Sequence, residues 1–446
     1  MSIFKACDIR GVYPDEIDER AAEAIGRAVG TELDRAGCVL AGDVRLSTPP
    51  LKSAVQRGLL GAGADVVDLG IVPTPVAYWA RRRMGIRGAV IVTASHNPPE
   101  HNGVKFMLGP LAVTPEDIER VRVRAEQGDF HSGRGRLSSR DVRDEYLAWL
   151  AERFEGTGAG MKALVDAGSG TASLWAPPAF RAAGYQVEEL FCEPDGRFPN
   201  RSPNPSAEAL GAASARVRAV GADFAACFDG DGDRVAFLDE RGRAVSAEDA
   251  LILLARDALG TAPGAAVIYD QKCTRMVPRE IERAGGQPLM ERSGHSFIKR
   301  RLVEEGALLA GEASGHFFFG ELGGDDGTYA ALRMGELIAR GGRHLGALLG
   351  TIPPYFISED VRVTRPAGDS ERLVQHLRDA FANLPQDHTD GVRIEFEGGW
   401  ALCRASVTEP AMTVRVEGDT PERMAEIRDL VLRAIPRARD GKATAE

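Results

Sequence analysis

Three successive stretches of the chain alternate helical patterns with short apolar or β-branched runs of strand length. In the first stretch, residues 17–36 and 51–62 have helical patterns, and residues 39–43 between them have the pattern of a strand. Such alternation builds layered α/β domains in which helices cover a sheet. At 446 residues the chain exceeds what one hydrophobic core normally supports, so several such domains are expected.

The pattern changes after the Ile-Pro-Pro sequence at residues 352–354. A strand, a helix, three strands and a last helix follow, which is typical of a smaller α+β module. The two prolines mark the border, since proline interrupts both helices and strands. The sequence therefore predicts four domains, with boundaries at residues 1–144, 145–246, 247–353 and 354–446.

Composition restricts the partners of the chain. A formal net charge of −10 argues against nucleic acid or an anionic membrane, because both attract a basic surface. The first residues are interrupted by Lys5, Asp8 and Arg10, where a signal peptide needs an apolar run. The six cysteines are scattered without a C-x-x-C pair, which indicates reduced thiols. We expect a cytoplasmic monomer or homodimer that binds a small molecule.

An acidic loop at residues 229–234 is the strongest local signal. Asp229, Asp231 and Asp233 alternate with glycines, which let the backbone curl so that all three carboxylates point inward. Three carboxylates held this close would repel one another without a cation. The pattern therefore predicts a site for a hard metal ion.

Calcium and magnesium are the two candidates for that ion. Glu240 stands at the twelfth position from Asp229, as in a calcium-binding EF-hand. However, Arg234 occupies the sixth position, where that loop requires glycine, and the flanking segments have strand patterns instead of helical ones. Magnesium, which uses a few carboxylates and completes its shell with water or phosphate oxygens, fits better.

A second polar loop, residues 94–99, follows the apolar strand predicted at residues 89–93. Catalytic groups favour such strand ends, although Ser95 and Asn97 could equally form a capped turn. No G-x-S-x-G elbow surrounds Ser95, which disfavours a serine hydrolase. If magnesium lies between the aspartates and the Ser95 oxygen, phosphoryl transfer at this serine is the indicated chemistry.

The remaining polar clusters are weaker signals, and each has a plain alternative as a surface turn or a solvated charge. Glu312 and Ser314 are two residues apart and would face the same way in extended backbone, which suits adjacent sugar hydroxyls. A phosphate-binding segment is indicated by Arg404, Ser406 and Thr408, which alternate at a strand end. Further candidate site residues, each isolated in the sequence, are Lys105, Lys272 and His295.

In this order and at these separations, the loops resemble those of the α-D-phosphohexomutase superfamily over essentially the whole chain. Residues 93–98, Thr-Ala-Ser-His-Asn-Pro, resemble its phosphoserine loop, and residues 229–234 resemble its metal loop. Residues 4–11 and 311–316 are most similar to the phosphomannomutase/phosphoglucomutase branch.

The resemblance implies a fold and an activity. The fold has four domains, three similar α/β domains with mixed sheets and a C-terminal α+β domain like the TATA-box-binding protein, with the active site where they meet. The activity is interconversion of hexose 1-phosphate and hexose 6-phosphate, of mannose, glucose or both. It would proceed through phosphorylated Ser95 and a bisphosphorylated sugar, with Mg²⁺ as the cofactor and hexose 1,6-bisphosphate as the activator.

The resemblance also implies residue roles. Lys105 and His316 are favoured as acid and base over Arg10 and His295, and Arg234 offsets charge on the transferring group. The implied catalytic residues are Ser95, Lys105, Arg10, His316 and Arg234; the metal ligands are Ser95, Asp229, Asp231 and Asp233; and the substrate contacts are Lys272, His295, Glu312, Ser314, His316, Arg404, Ser406 and Thr408.

Two departures from the branch bear on the substrate. Cys7 stands where a tyrosine is common, and Val407 replaces an asparagine in the phosphate-binding loop. Two alternatives follow. A phosphoglucosamine mutase would share every catalytic loop, whereas a non-catalytic sugar-phosphate sensor would need neither Ser95 nor the three aspartates.

Overall fold

The structure is a computed structural model that describes residues 3–342, 344–364, 369–405 and 411–436. Its internal contacts divide the chain into two compact units. The first unit comprises residues 1–269, 278–289 and 294–352, and the second comprises residues 270–277, 290–293 and 353–446. Among the described residues, no helix has both the length and the apolar character needed to cross a membrane.

The first block of the chain forms a six-stranded mixed sheet in the order β1-β5-β4-β2-β3-β6. Strands β2, β3 and β4 are parallel, so their carboxyl ends lie at one edge, and β5 returns antiparallel beside β4. The elements are β1 (Ile9–Val12), α1 (Glu19–Glu32), β2 (Cys38–Gly42), α2 (Thr48–Gly61), β3 (Val66–Ile71), α3 (Thr74–Arg83), β4 (Gly88–Val92), β5 (His101–Met107), α4 (Pro115–Gln127) and β6 (Leu137–Ser139).

Local sequence explains where helices of this block begin and end. Helix α4 starts at a capping box, in which Thr114 accepts from the Asp117 amide and Asp117 accepts from the Thr114 amide. It stops at Gly128, whose left-handed backbone ends the helix. Strands β2 and β4 are buried along their whole length, which fits the continuous apolar runs of a parallel sheet covered by helices.

The second block forms a five-stranded sheet in the order β11-β10-β9-β7-β8. Strands β7, β8 and β9 are parallel, and β10 pairs antiparallel with β9 through a short turn. That turn is the acidic loop. The elements are α5 (Arg143–Arg153), β7 (Lys162–Asp166), α6 (Ala176–Ala182), β8 (Gln186–Leu190), α7 (Gly211–Val220), β9 (Phe224–Phe228), β10 (Val235–Leu238) and β11 (Ala244–Val245), with 3-10 turns at Thr171–Leu174 and Ala207–Leu210.

The third block forms another five-stranded sheet, in the order β13-β12-β14-β15-β16. Strand β14 runs parallel to β12, and β15 pairs antiparallel with β14, so residues 312–316 form the turn between them. The elements are α8 (Ala247–Thr261), β12 (Ala266–Asp270), α9 (Met276–Arg283), β13 (Gln287–Glu291), α10 (His295–Glu304), β14 (Leu309–Gly311), β15 (Phe317–Phe319), β16 (Gly324–Asp325), α11 (Gly327–Gly341) and α12 (Leu345–Leu349).

The last block is an antiparallel sheet with two helices and its own apolar core. The first strand predicted after the two prolines covers residues 357–364 without a break, and that prediction is wrong. Residues 358–360 lie opposite only two residues of the partner strand, so one extra residue bulges and splits the strand. The elements are β17 (Phe356–Ile357), β18 (Val361–Thr364), α13 (Asp369–Ala380), β19 (Gln386–Asp387), β20 (Val392–Phe396), β21 (Gly399–Ala405), β22 (Ala411–Gly418) and α14 (Pro421–Ala434).

Candidate active site

The serine loop leaves the carboxyl end of β4 in a strained conformation. Ser95 has a φ of 51°, in the left-handed region that side chains other than glycine rarely adopt. Its amide donates to the Thr93 hydroxyl at 2.9 Å, and the residue is fully buried. Backbone strain of this kind persists only where the surroundings enforce it, and it is concentrated at functional sites.

A buried ion pair enforces that conformation. Asp43 and Arg45 follow β2, beside the end of β4, and the Arg45 Nε donates to Asp43 at 3.0 Å. The Arg45 guanidinium also donates to four main-chain carbonyls of the serine loop, of Ser95 (2.8 Å), Asn97 (2.6 Å), Pro98 (2.5 Å) and His101 (3.0 Å). The planar guanidinium of Arg45 therefore holds the main chain around Ser95 in place.

The acidic loop meets the serine in the first unit. Each of Asp229, Asp231 and Asp233 offers a carboxylate oxygen, and these oxygens lie within 4.8 Å of one another. The Ser95 hydroxyl donates to Asp229 Oδ2 at 2.7 Å. Asp229 also accepts from the Gly232 and Arg234 amides, which fixes the curl of the loop. The structure thus brings together the four predicted metal ligands.

These side chains fit a hard divalent cation. Asp231 Oδ1 is buried and has no hydrogen-bond partner in the described part of the chain. Burial raises the pKa of Asp229 well above its usual value, and the charges of Asp233 and Asp231 act in the same direction. An oxygen-rich set of carboxylates with one hydroxyl is the donor chemistry that Mg²⁺ prefers.

Glycine at position 230 is required by the close approach of the two loops. A Cβ atom placed on Gly230 would lie 2.4 Å from the Ser95 carbonyl oxygen. We therefore expect Gly230→Ala to displace the serine and to lower turnover by about 100-fold, the order of loss associated with a 1 Å misplacement. Gly211→Ala is the matched control, because no atom lies within 4 Å of its added methyl group. Equal turnover of the two variants, measured at matched folded fraction, would contradict the prediction.

Lys105 projects from β5 into the acidic loop. Its Nζ lies 2.8 Å from Asp231 Oδ2 and 2.5 Å from Asp233 Oδ2, and the side chain is buried. Burial alone would favour the neutral amine, but the two carboxylates outweigh it and raise the pKa of Lys105. The Thr74 hydroxyl also donates to Asp231 Oδ2, at 2.6 Å. Lys105 is therefore held as a cation beside the serine.

The turn between β14 and β15 supplies the next group of side chains. Ser314 Oγ donates to Glu312 Oε2 at 2.7 Å and lies 2.9 Å from His316 Nδ1. On its other side, His316 Nε2 lies 3.3 Å from Asp233 Oδ1. Burial opposes protonation of His316, but the Asp233 charge and the hydrogen bonds that His316 donates to Asp233 and Glu312 outweigh it and raise the pKa to about 9.

Arg10 links the start of β1 to the serine loop. Its guanidinium donates to the Ala94 carbonyl at 3.1 Å and to Asn97 Oδ1 at 2.8 Å, and it pairs with Asp8. His295 lies 3.9 Å from the same Asp8 carboxylate, and its ring stacks on His316 at 5.9 Å. Arg10 and His295 are thus both placed next to the serine and acidic loops.

Among the described residues, two of the predicted substrate contacts, Lys272 and Arg404, belong to the second unit. There, Lys272 Nζ pairs with Asp360 at 2.6 Å, within the bulge between β17 and β18. Arg404 lies in β21, is 8% exposed and pairs with Asp390 at 3.3 Å. Ser406, Thr408 and the departure at Val407 lie outside the described residues.

Family models match nearly the whole chain. Three of them describe the alpha/beta/alpha domains I, II and III of phosphoglucomutase/phosphomannomutase, and they match residues 1–132, 144–242 and 247–355. A fourth, for the C-terminal domain, matches residues 360–434. The chain belongs to the phosphoglucomutase/phosphomannomutase family. This membership confirms the family resemblance and the fold class that the sequence predicted.

Individual members of the phosphoglucomutase/phosphomannomutase family resemble the chain over almost its full length. A phosphomannomutase/phosphoglucomutase of Pseudomonas aeruginosa is 39% identical over 435 residues, covering 96% of this chain and 94% of the relative. A family protein of Burkholderia thailandensis of known structure is 38% identical, with a TM-score of 0.90 and coverage of 97% and 96%. An N-acetylphosphoglucosamine mutase of Aspergillus fumigatus, solved with GlcNAc-6P and magnesium, shares the fold alone, at 14% identity, a TM-score of 0.63 and coverage of 97% and 95%.

Sequence reasoning missed several side chains of this phosphoglucomutase/phosphomannomutase site. Arg45 and Asp43 lie in an ordinary-looking loop, although the end of a parallel strand is a position that favours function. His96, which directly follows Ser95 in the sequence, is another, because its Nδ1 lies 3.3 Å from the Ser95 hydroxyl. Burial, and then the charge of Arg234, lower the pKa of His96 well below its usual value, so the ring is neutral.

Proposed function

We propose that this chain is a phosphohexomutase that interconverts hexose 1-phosphate and hexose 6-phosphate of mannose and glucose. The observation that carries the proposal is the 2.7 Å hydrogen bond from the Ser95 hydroxyl to Asp229, in a buried cluster of three carboxylates. A serine placed in this way suits a covalent phosphoryl carrier. Burying three carboxylates around one hydroxyl is costly, and a role in catalysis at that hydroxyl explains their presence.

The reaction begins with Ser95 phosphorylated. A free hydroxyl oxygen of the bound hexose monophosphate attacks the phosphorus, the bond from phosphorus to Ser95 Oγ breaks, and Oγ gains the proton that the sugar hydroxyl loses. The bisphosphorylated sugar then turns end for end. Ser95 Oγ loses its proton and attacks the opposite phosphoryl group, the bond from that phosphorus to the sugar oxygen breaks, and the sugar oxygen gains a proton. The isomeric monophosphate then leaves the phosphorylated enzyme.

Magnesium is the proposed cofactor, held by Asp229, Asp231, Asp233 and an oxygen at Ser95. When bound, the ion would offset negative charge on the transferring phosphoryl group. The fold-related Aspergillus mutase, which was solved with magnesium, supports this choice. Hexose 1,6-bisphosphate is the proposed activator, because it can phosphorylate Ser95 when the enzyme has lost its phosphoryl group.

Lys105 and His316 are the proposed proton donors. Each is buried beside Asp233 and held as a cation at neutral pH. A cationic acid next to the reacting oxygen can protonate the departing oxygen and then act as base in the return step. Arg10 and Arg234 add fixed positive charge, since Arg10 contacts the serine loop and Arg234 Nε lies 3.4 Å from His316 Nε2.

Glu312 and Ser314 are the proposed sugar ligands, with His295 beside them. The Glu312 carboxylate already accepts from the Gly294 amide at 2.8 Å, so its orientation is set before substrate binds. Adjacent hydroxyls at C3 and C4 are shared by glucose and mannose, so one pair of ligands suits both sugars. For the distal phosphate we propose Arg404, Ser406 and Thr408, with Lys272.

We expect Glu312→Gln to raise KM for the sugar phosphate about 10-fold or more, with a smaller change in kcat. Glutamine keeps one acceptor oxygen but loses the charge, and a hydrogen bond to a charged group is worth about 1.5–3 kcal/mol. Steady-state kinetics with glucose 1-phosphate measure this effect. Glu126→Gln, on the exposed face of α4, is the control. An unchanged KM would remove Glu312 from the sugar site.

The test of the function is a panel of glucose 1-phosphate, mannose 1-phosphate and glucosamine 1-phosphate, each with magnesium and a trace of hexose 1,6-bisphosphate. We expect conversion of the first two sugars to their 6-phosphates, loss of conversion with a chelator, and recovery with added magnesium. Preference for glucosamine 1-phosphate would favour a phosphoglucosamine mutase. No conversion of any sugar would refute the proposed function.

A further inference from the structure

A second cavity lies in the first unit, between helix α3 and the segment that joins β15 to β16. Its volume is about 290 Å³, at the lower end of the roughly 300–1,000 Å³ typical of small-molecule sites. A neighbouring cavity of about 320 Å³ shares the lining residues Arg81, Arg82 and Gly323 with it. Among the described residues that line it, neither Ser95 nor any of the three aspartates is present.

Positive charge dominates the α3 side of this cavity. Arg81, Arg82 and Arg83 form the last turn of α3, and all three line the cavity. Arg81 donates to the main-chain carbonyls of Arg87 and Gly109, both at 2.9 Å, and Arg82 to that of Glu321 at 3.3 Å. In the described part of the chain, neither Arg81 nor Arg82 forms a salt bridge with a carboxylate.

The carboxylates in the cavity wall are bound to other groups. Asp325 pairs with Lys299 at 2.6 Å. Asp326 accepts from the Tyr146 hydroxyl at 2.6 Å and caps the start of α11. Glu321 accepts from the Tyr329 hydroxyl. With Lys299, the lining carries four cationic side chains against these three carboxylates, and this excess of positive charge favours an anion.

Arginines at the end of a helix often do no more than offset the helix dipole. Arg81 shows a further feature, because this side chain is 6% exposed and its Nε is buried with no hydrogen-bond partner in the described residues. Burial lowers the pKa of the Arg81 guanidinium, and the charge of Arg82 acts in the same direction. A buried, unpaired donor of this kind is costly unless an acceptor is supplied.

Two aromatic rings also line the cavity, Trp79 on α3 and Trp149 on α5. The rings of Trp79 and Trp149 lie 6.0 Å apart, and both line the cavity. Trp149 is stacked on Tyr329 at 5.7 Å, which holds its plane in place. Gly323 and Gly324, at the start of β16, also line the cavity and add no side chain to it. Flat apolar walls beside a guanidinium cluster suit a planar ring that carries an anionic group.

We propose that this cavity is a second ligand site, which binds a small phosphate anion bearing a heteroaromatic ring, of the nucleoside monophosphate class. The phosphate would lie at Arg81 and Arg82, and the ring would lie against Trp79 and Trp149. The proposal concerns binding alone, so it stands or falls independently of the mutase activity.

Isothermal titration calorimetry with AMP tests the proposal on the full chain, with the mutase centre saturated by glucose 1,6-bisphosphate. We expect one AMP per chain, bound at least about 10-fold more tightly than either ribose 5-phosphate or adenosine, because ribose 5-phosphate lacks the ring contact and adenosine lacks the phosphate contact. Quenching of tryptophan fluorescence on titration with AMP should give the same dissociation constant, since two of the four tryptophans line the site.

Two variants locate the ligand. Arg82→Gln should weaken AMP binding about 10-fold, the size expected for a lost charged hydrogen bond, whereas Arg134→Gln, an exposed arginine outside the cavity, should leave it unchanged. Trp149→Leu should weaken AMP but leave ribose 5-phosphate unaffected. The proposal is overturned by the absence of AMP binding, by its loss on saturation with the bisphosphate, or by equal affinity in Arg82→Gln and Arg134→Gln.

Discussion

Ser95→Ala is expected to lower kcat/KM for glucose 1-phosphate by about 10⁴-fold or more, the scale of loss when a covalent nucleophile is removed. Alanine provides no oxygen to carry the phosphoryl group, so neither half of the reaction can proceed. The rest of the site should remain folded, because Arg45 fixes the loop through main-chain carbonyls that the substitution retains. The measurement is steady-state conversion of glucose 1-phosphate to glucose 6-phosphate.

A matched serine provides the control for this prediction. Ser139 lies on the exposed strand β6, and Ser139→Ala should retain wild-type turnover. The melting temperature of each variant, measured alongside, separates a lost nucleophile from a lost fold. A Ser95→Ala protein that is folded and still turns over within a few fold of wild type would mean that another group carries the phosphoryl.

Arg45→Met is the substitution with the second large expected effect. It leaves Asp43 buried without its cation and four carbonyls of the serine loop without a donor. Removing one partner of a buried ion pair typically destabilises a protein by about 3–5 kcal/mol. We therefore expect a loss of this order in the free energy of unfolding, together with a fall in turnover that exceeds the loss of folded protein.

Chemical denaturation measures the first part of this prediction, and activity per folded molecule measures the second. Arg136→Met is the control, because Arg136 forms an exposed pair with Asp65 at 2.8 Å that should contribute at most about 1 kcal/mol. Arg45→Lys should recover part of the stability but not the loop geometry, since an ammonium group cannot reach four carbonyls in one plane. Wild-type activity in Arg45→Met would show that the backbone around Ser95 keeps its strained conformation without Arg45.

Features of the site that depend on local sequence could be predicted well. Three aspartates alternating with glycines between two apolar strands leave few structures other than a metal loop, and the structure gathers their carboxylates within 4.8 Å. Glu312 and Ser314 also meet, with Ser314 Oγ 2.7 Å from Glu312 Oε2, but they do so in the turn between β14 and β15 and not in the extended backbone that we expected.

Features that depend on distant contacts could not be predicted in this way. The acceptors of Arg45 lie 50 to 56 residues along the chain, and its sequence context has no special spacing. Helix α3 was not predicted, although Pro75 stands in its first turn, a position that proline favours. The bulge that splits β17 from β18 arises from pairing with β22, which no local pattern reveals.

Transfer of a labelled phosphoryl group shows whether Ser95 carries the phosphoryl group between the two sugar positions. The enzyme is incubated with radiolabelled glucose 1,6-bisphosphate, freed of sugar, digested and mapped, and a second portion is chased with unlabelled glucose 1-phosphate. We expect label on the peptide that contains Ser95. During the chase, that label should appear quantitatively in sugar phosphate. An unlabelled protein that nevertheless interconverts the two hexose phosphates, or label on a different residue, would contradict this expectation.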